Sequence, residues 1–257
     1  SDLFLFPIPS TLSLMPWRPS RGKVVRMFCK IRYPDGRPFP LDCRALLGRA
    51  IREAQDLGLS VQIGAEFEFY LFKTDVDGNP TTQPFDHAGY MDMAPEDKGE
   101  NVRREICLTL ESMGILPECS HHEEGPGQNE IDFRYSDAMT AADNALLFAS
   151  TVRAVAVSNG LYADFSPKPI AGEAGNGLHI NISLLQRGDQ PVTQYFMAGI
   201  LDHIREMTAF LNPSEASYRR LGEKKAPRFV TWSPENRSQL IRIPAAQGQY
   251  KRMELRS

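Results

Sequence analysis

The chain has 257 residues, of which 42% are hydrophobic and 24% charged, an ordinary globular composition that suits one large domain or two small ones. Lys plus Arg number 29 against 32 Asp plus Glu, a net charge of −3, which argues against nucleic acid or an anionic membrane as the main partner. No apolar run reaches the roughly 18 residues of a membrane span, and the start lacks the basic flank and small-residue cleavage site of a signal peptide. It also lacks an initiator Met, so the chain reads as an excised piece.

Pro7, Pro9, Pro16 and Pro19 favour irregular or edge structure at the start. A strand is expected next, with Val25, Met27, Cys29 and Ile31 on one face. Pro34-Asp35-Gly36 signals a turn, and Asp42 is the expected N-cap of a helix ending near Gly58. Residues 60–72 alternate as a long strand, and 74–97 read as a turn-rich loop. Helices are expected from about Gly99 to Met113 and from an N-cap at Thr140 to Asn159, each followed by a glycine. Between them, His121 to Tyr135 reads as a loop leading into a strand. Further strands are expected at 178–185, 238–243 and 251–256, with a helix at 194–210. Strands cluster and helices come singly, which predicts an α+β fold: a mainly antiparallel sheet backed by α-helices.

Cys29, Cys43, Cys107 and Cys119 form no C-x-x-C pair and read as free, buried or half-buried thiols, which favours a cytoplasmic location.

Four motifs carry polar groups opposite apolar faces. In Gly64-Ala65-Glu66-Phe67-Glu68-Phe69 the period of two puts Glu66 and Glu68 on one side. Taken alone, a solvated strand face is the plainer reading. The segment 121–130 brings Glu123, Glu124 and Glu130 around a Gly-Pro-Gly turn, and Glu130, Asp132 and Arg134 share the next strand's face. A polar surface loop is the alternative, but burying that face without partners is costly. Zinc held by His121 and His122 is disfavoured, because adjacent side chains on an extended chain point opposite ways. In 175–183 the alternation groups His179, Asn181 and Ser183, and in the last strand it groups Arg252, Glu254 and Arg256. Several strands each presenting glutamate and at most one imidazole suit a hard cation, Mg²⁺ or Mn²⁺. Arg219, Arg220, Arg237 and Arg242 lie just upstream of the last strand and suit phosphate or carboxylate. Carboxylate-held metals with arginines describe a phosphoryl-transfer site. Neither the G-x-x-x-x-G-K-[ST] loop nor the kinase signature set is present.

In this order, the motifs resemble those of the glutamine synthetase family. The matches are 64–69, 121–130, 175–181, Asn-Pro-Ser-Glu-Ala-Ser-Tyr-Arg-Arg-Leu (212–221), Asn-Arg-Ser-Gln-Leu-Ile-Arg-Ile-Pro (236–244) and Arg-Met-Glu-Leu-Arg (252–256). The resemblance implies the family's catalytic-domain fold, with a curved sheet, over residues 1–257. By the same resemblance the domain is expected to be incomplete, lacking the family's N-terminal β-grasp domain and C-terminal end. It implies that Glu68, Glu123 and Glu130 hold a first metal and Glu66, His179 and Glu254 a second. Glu118, Tyr135, Asn181, Ser183, Arg242 and Arg252 fall at its ATP contacts. Gly175, Arg220 and Arg256 fall at its glutamate contacts, and Arg237 at the transferring phosphate. The implied reaction joins glutamate and ammonia through γ-glutamyl phosphate at the expense of ATP, with two Mg²⁺ or Mn²⁺ ions per site. A ring-shaped homo-oligomer is implied for the full-length protein.

Three positions depart from the family pattern. Lys225 stands where the family has the glutamate that binds and deprotonates ammonium, with Glu223 and Glu124 as its nearest substitutes. Ala174 replaces an asparagine that contacts glutamate, and Asn181 replaces a second histidine. These departures keep open a γ-glutamyl–amine or polyamine ligase and a catalytically impaired nucleotide-binding homologue. Phosphoryl transfer to a guanidino substrate rests on fold analogy alone.

Overall fold

The computed structural model describes residues 2–18, 21–186 and 192–257; Ser1 and Pro19 lie outside them. In chain order the elements are β1 (Phe4–Pro7), β2 (Ser13–Leu14), β3 (Val25–Arg26), β4 (Cys29–Arg32), α1 (Cys43–Asp56), β5 (Leu59–Thr74) and β6 (Pro80–Pro84). There follow α2 (Glu100–Ser112), β7 (Pro117–His122), β8 (Gln128–Phe133), β9 (Ser136–Asp137), α3 (Ala138–Ser158) and β10 (Leu161–Asp164). The last are β11 (Leu178–Gln186), α4 (Val192–Leu211), α5 (Glu215–Arg220), β12 (Phe229–Ser233), β13 (Gln239–Arg242) and β14 (Met253–Leu255).

The main sheet has ten strands, and its spine runs β12-β13-β14-β11-β5-β8-β7. Every pairing is antiparallel except β12 with β13, so the sheet is mixed but mostly antiparallel, as expected. The 16-residue β5 organises it, because four further strands lie against it along its length besides β11. Its alternation divides the molecule. Ala65, Phe67, Phe69 and Leu71 point into a core shared with Ile131 and Phe133 of β8, Ile106 and Leu110 of α2, and Phe148 and Val152 of α3. Phe148 stacks on Phe67 at 4.8 Å between centroids, a contact worth about 1 kcal/mol beyond its buried area. A second core lies under α4, where Met197, Ile200 and Ile204 cover Ile182, Ile241, Met253 and Leu255. Helices thus cover one face, and the other is left for Glu66, Glu68 and their neighbours.

Caps fix the helix starts. The Asp42 carboxylate accepts from the backbone N–H of Arg44 and Ala45, as expected, and also from Ile31, tying α1 to β4. The helix at 140–159 begins three residues earlier than expected: Asp137, not Thr140, is its N-cap, accepting from the N–H of Met139 and Thr140 at 3.1 Å.

Other expectations need correction. The strand at 25–31 is two strands, because Val25–Arg26 pairs with β2 and Cys29–Arg32 with β1. The loop 74–97 contains β6, an edge strand bounded by prolines. His121 and His122 end β7 rather than lying in a loop. The short α5, β9, β10 and β12 gave no readable period. Arg134 is exposed beyond the end of β8. All four cysteines are free, but Cys43 and Cys119 are exposed.

Candidate active site

Strand register assembles the acidic centre. Glu66 of β5 lies opposite His179 of β11 on one side and Asp132 of β8 on the other. Glu68 lies opposite Glu130, while Glu254 of β14 lies between Asn181 and Arg242. Side chains of paired residues share a face, so five strands bring their polar groups to one place.

Glu66, His179 and Glu254 offer ligand atoms that all lie within 4.8 Å of one another, the trio expected for the second metal. His179 Nδ1 is 3.0 Å from the Glu66 carboxylate and 3.7 Å from that of Glu254. Asn181 donates to the other Glu66 oxygen at 2.7 Å. Burial raises the Glu66 carboxyl, but His179 and Asn181 outweigh it and hold its pKa at about 2. Glu254 is fully buried behind them and bound by the guanidinium groups of Arg242 and Arg256.

The first-metal trio differs in one member. Glu123 and Glu130 come together with His121, not Glu68, within 4.8 Å. His121 Nε2 donates to Glu123 at 3.2 Å. The Glu68 carboxylate lines the same cleft but accepts from Gly177 N–H at 2.9 Å and from Gln128 Nε2 at 3.1 Å. Burial raises the Glu68 pKa, and the charge of Glu123 adds to the shift. Burial and the charges of Asp132, Glu68, Glu123 and Glu66 push Glu130 to about 10. Burial and Glu66 bring Asp132 to about 7, and its Oδ1 is a buried oxygen with no partner. So many crowded carboxylates, one with an orphaned oxygen, fit hard dications held by oxygen and one or two imidazoles.

The adjacent histidines do point opposite ways. His121 reaches the site, while His122 is fully buried, its Nδ1 donating to the Glu123 carbonyl at 2.6 Å and its Nε2 to Asp86 at 2.9 Å. Acceptors at both nitrogens favour the doubly protonated ring. Burial opposes that charge, but the Asp86 hydrogen bond prevails and raises the pKa.

Two adjoining pockets flank the centre, and Glu66 lines both. One holds Glu68, Glu123, Glu130, His179, Gly175, Arg220, Arg237, Arg242, Arg256 and Lys225. The other, more apolar, holds Glu118, Tyr135, Asn181, Ser183 and Arg252. The expected metal, glutamate and phosphate residues therefore meet in one pocket, with Glu254 behind its wall. The expected nucleotide residues meet in the other, save Arg242. Arg252 Nε donates to Asn181 at 2.9 Å, and Ser183 Oγ donates to the Lys251 carbonyl at 3.0 Å. Arg219 does not join: it pairs with Glu215 on the surface. Lys225 bonds Glu124 at 2.6 Å with its ammonium 4.9 Å from the Tyr90 ring centroid. Glu223 instead pairs with Lys168. Sequence reasoning missed Tyr90 and the part played by His121 and Gln128. The position of His121, two residues before Glu123 at the end of a strand, was the available signal.

The family model described as "Glutamine synthetase, catalytic domain" matches residues 40–257. Glutamine synthetases of Methanosarcina mazei and Clostridium saccharobutylicum are each 46% identical over 269 residues, aligning with all of this chain and with 60% and 61% of their own length. One from Staphylococcus aureus is 44% identical over 271 residues, again across the whole chain and 61% of its own length. The chain thus spans about three fifths of the length of these relatives. Among solved structures, a Plasmodium falciparum glutamine synthetase superposes with a TM-score of 0.87 at 26% identity, covering 100% of this chain and 58% of that one. A GmaS/ADP complex superposes with a TM-score of 0.85 at 31% identity, covering 99% and 62%.

Proposed function

Because this chain belongs to the glutamine synthetase family, we propose that it carries the phosphoryl-transfer and ligation centre of an ATP-dependent glutamate–ammonia ligase, residues 1–257 being an incomplete catalytic domain. The observation that carries the reading is the meeting of two metal-competent trios at one acid- and arginine-lined pocket, which shares Glu66 with a second, more apolar one.

Glu66, His179 and Glu254 would hold one dication, and Glu123 and Glu130, with His121 or Glu68, the other. When bound, the ions neutralise charge on the phosphoryl oxygens. Glu118, Tyr135, Asn181, Ser183, Arg242 and Arg252 bind ATP. Arg220 and Arg256, with the side-chain-free Gly175, hold glutamate, so that its γ-carboxylate attacks the γ-phosphorus in line. An O–P bond forms, and the bond to the bridging oxygen of departing ADP breaks. Arg237 offsets the charge that develops on the transferring group. Ammonia then attacks the activated carbonyl carbon, the bond from that carbon to the phosphate oxygen breaks, and the proton the nitrogen gives up leaves on the released phosphate. No protein nucleophile is needed.

A ring-shaped homo-oligomer of the full-length protein and Mg²⁺ or Mn²⁺ as its ions follow from the same family reading. No described helix is long and apolar enough to cross a membrane. A cytoplasmic location is supported by the four unpaired thiols. The test is the full chain supplied with glutamate, Mg·ATP and ammonia: glutamine, ADP and phosphate are expected in equal amounts. ATP left intact in the presence of glutamate would overturn the reading.

A further inference from the structure

A cleft of about 430 Å³ lies between β4 and α1, with Met139 of α3 in its wall, and shares no lining residue with the two pockets of the acidic centre. Its walls are cationic. Lys30 and Arg32 sit two apart on β4 and so share a face of the strand. Arg44, Gly48 and Arg52 recur every four residues along α1, with Arg49 beside them, so one helix face carries three arginines. Arg44 is paired with Asp143; among the described residues Lys30, Arg32, Arg49 and Arg52 bond no carboxylate, Glu53 and Asp56 one turn along α1 included. Elsewhere exposed arginines find one, as Arg37 does in Asp35 and Arg219 in Glu215. Asp42, the acid of the lining, is buried and turns its carboxylate to the backbone N–H groups of Ile31, Arg44 and Ala45. A chain of net charge −3 thus gathers four unneutralised cations around one cavity. Glycine inside a helix is destabilising, yet a Cβ at Gly48 would make only ordinary contacts, 3.6 Å from Met139 Cε and 3.7 Å from Arg52 Nη1. Packing within the protein therefore does not require this glycine, and its missing side chain leaves the floor open between Arg44 and Arg52. Solvation accounts for each cation singly, but not for an open floor between them.

We propose that this cleft binds a compact phosphorylated anion, held between the Lys30–Arg32 wall and the Arg49–Arg52 wall and separate from the nucleotide and glutamate pockets. Guanidinium forks match phosphate oxygens bidentately, and four like charges around one small volume call for more than one negative charge between them. Arg32 is already ordered without being neutralised: it donates to the Gly36 carbonyl at 3.0 Å and lies over the Phe6 ring at 5.3 Å from its centroid. The lining carries no aromatic ring, so recognition is of the anionic groups rather than of a base. The cavity is of the size that takes a small molecule.

The test titrates pyrophosphate into the full chain by calorimetry in the presence of EDTA, so that no metal bridges the probe to the acidic centre. Wild type is expected to show saturable uptake. Arg49→Gln with Arg52→Gln is expected to bind about ten-fold more weakly, the scale of two exposed charge-assisted contacts. Gly48→Leu fills the floor with every charge kept, and is expected to weaken binding as much without lowering the thermal midpoint, because leucine is the better helix former. Arg237→Gln, in the acid- and arginine-lined pocket, is expected to leave the uptake unchanged. Citrate, whose charges are carried on separated carboxylates, is expected to bind several-fold more weakly than pyrophosphate. No saturable uptake by wild type, uptake that survives the paired Arg49 and Arg52 substitutions, or uptake lost in Arg237→Gln overturns the site. Citrate bound as tightly as pyrophosphate overturns the assignment to phosphate.

Discussion

His179 and Glu66 face each other across the β11–β5 ladder, and register alone brings the imidazole Nδ1 to 3.0 Å from the carboxylate. The contact needs no loop and no induced fit: two neighbouring strands, each carrying a polar residue on the face away from the helices, produce it. The same ladder places Asn181 on the second Glu66 oxygen, so the carboxylate is oriented before any ligand arrives.

The first prediction concerns that orientation. Glu66→Gln keeps the shape but removes the charge, and Asn181→Ala removes only the orienting donor. Mn²⁺ titration followed by electron paramagnetic resonance should show loss of one ion's affinity in Glu66→Gln by at least about 100-fold. Asn181→Ala should cost about 10-fold, the lower end of what outer-sphere partners contribute. Equal, unchanged affinity in both variants would remove Glu66 from the ligand set.

Much of this site was legible in the sequence because strands carry a strict period of two. Glu66 and Glu68, His179 and Asn181, and Arg252 and Glu254 could each be assigned to a face without knowing any neighbour. Which strands pair is a long-range matter, and no local pattern announced that β11 and β8 would flank β5. The substitution of His121 for Glu68 in one trio is of this kind, since it depends on Glu68 being drawn aside by Gly177 and Gln128. β6 and β7 escaped notice because prolines and polar residues blur their alternation, and α5 because six residues are too few for a helical period. Asp137 took the cap expected of Thr140 because both are capping residues and only geometry separates them.

Proton release should accompany metal binding. Glu130 is raised to about 10 and Asp132 to about 7, so at pH 8 Glu130 carries a proton that a dication must displace. Calorimetry of Mn²⁺ binding at pH 8 in buffers of different ionisation enthalpy should report about one proton released. Apparent affinity should increase with pH over the same range. Glu130→Gln should bind more weakly and release none. A buffer-independent heat for the unmodified protein would contradict the assignment.

The Asp86–His122 pair under the β7–β8 turn predicts a pH window for stability. His122 is raised above its usual value, so its contribution is complete below about pH 6.5 and fades as pH climbs through the raised value. Asp86 is lowered: burial opposes its charge but His122 prevails, so its contribution is present above about pH 3.9 and fades as pH falls through the lowered value. Urea midpoints should therefore peak between these limits and decline toward pH 9. Asp86→Ala leaves a buried imidazolium unpaired and should cost about 3–5 kcal/mol at pH 6. It should also flatten the alkaline decline, and an unchanged pH profile in that variant would separate the pair from the effect.

Gly175 makes the sharpest steric prediction. A Cβ there would lie 2.5 Å from the Pro167 carbonyl oxygen and 2.6 Å from Arg220 Cγ. The carbonyl belongs to the backbone, so relieving both contacts shifts the chain locally at Gly175 and Pro167 as well as the Arg220 side chain. Arg220 is buried and lines the acid cleft, whereas neither it nor Gly175 lines the apolar pocket beyond Glu66. Gly175→Ala should therefore raise the KM for glutamate by about 10- to 100-fold, the cost of misplacing a positioning group by around an ångström. Nucleotide binding, measured by displacement of a fluorescent ATP analogue, should stay within about two-fold of wild type, since a shift of Arg220 removes no contact there. Loss of nucleotide binding in step with glutamate would mean that the two pockets do not divide the substrates in this way.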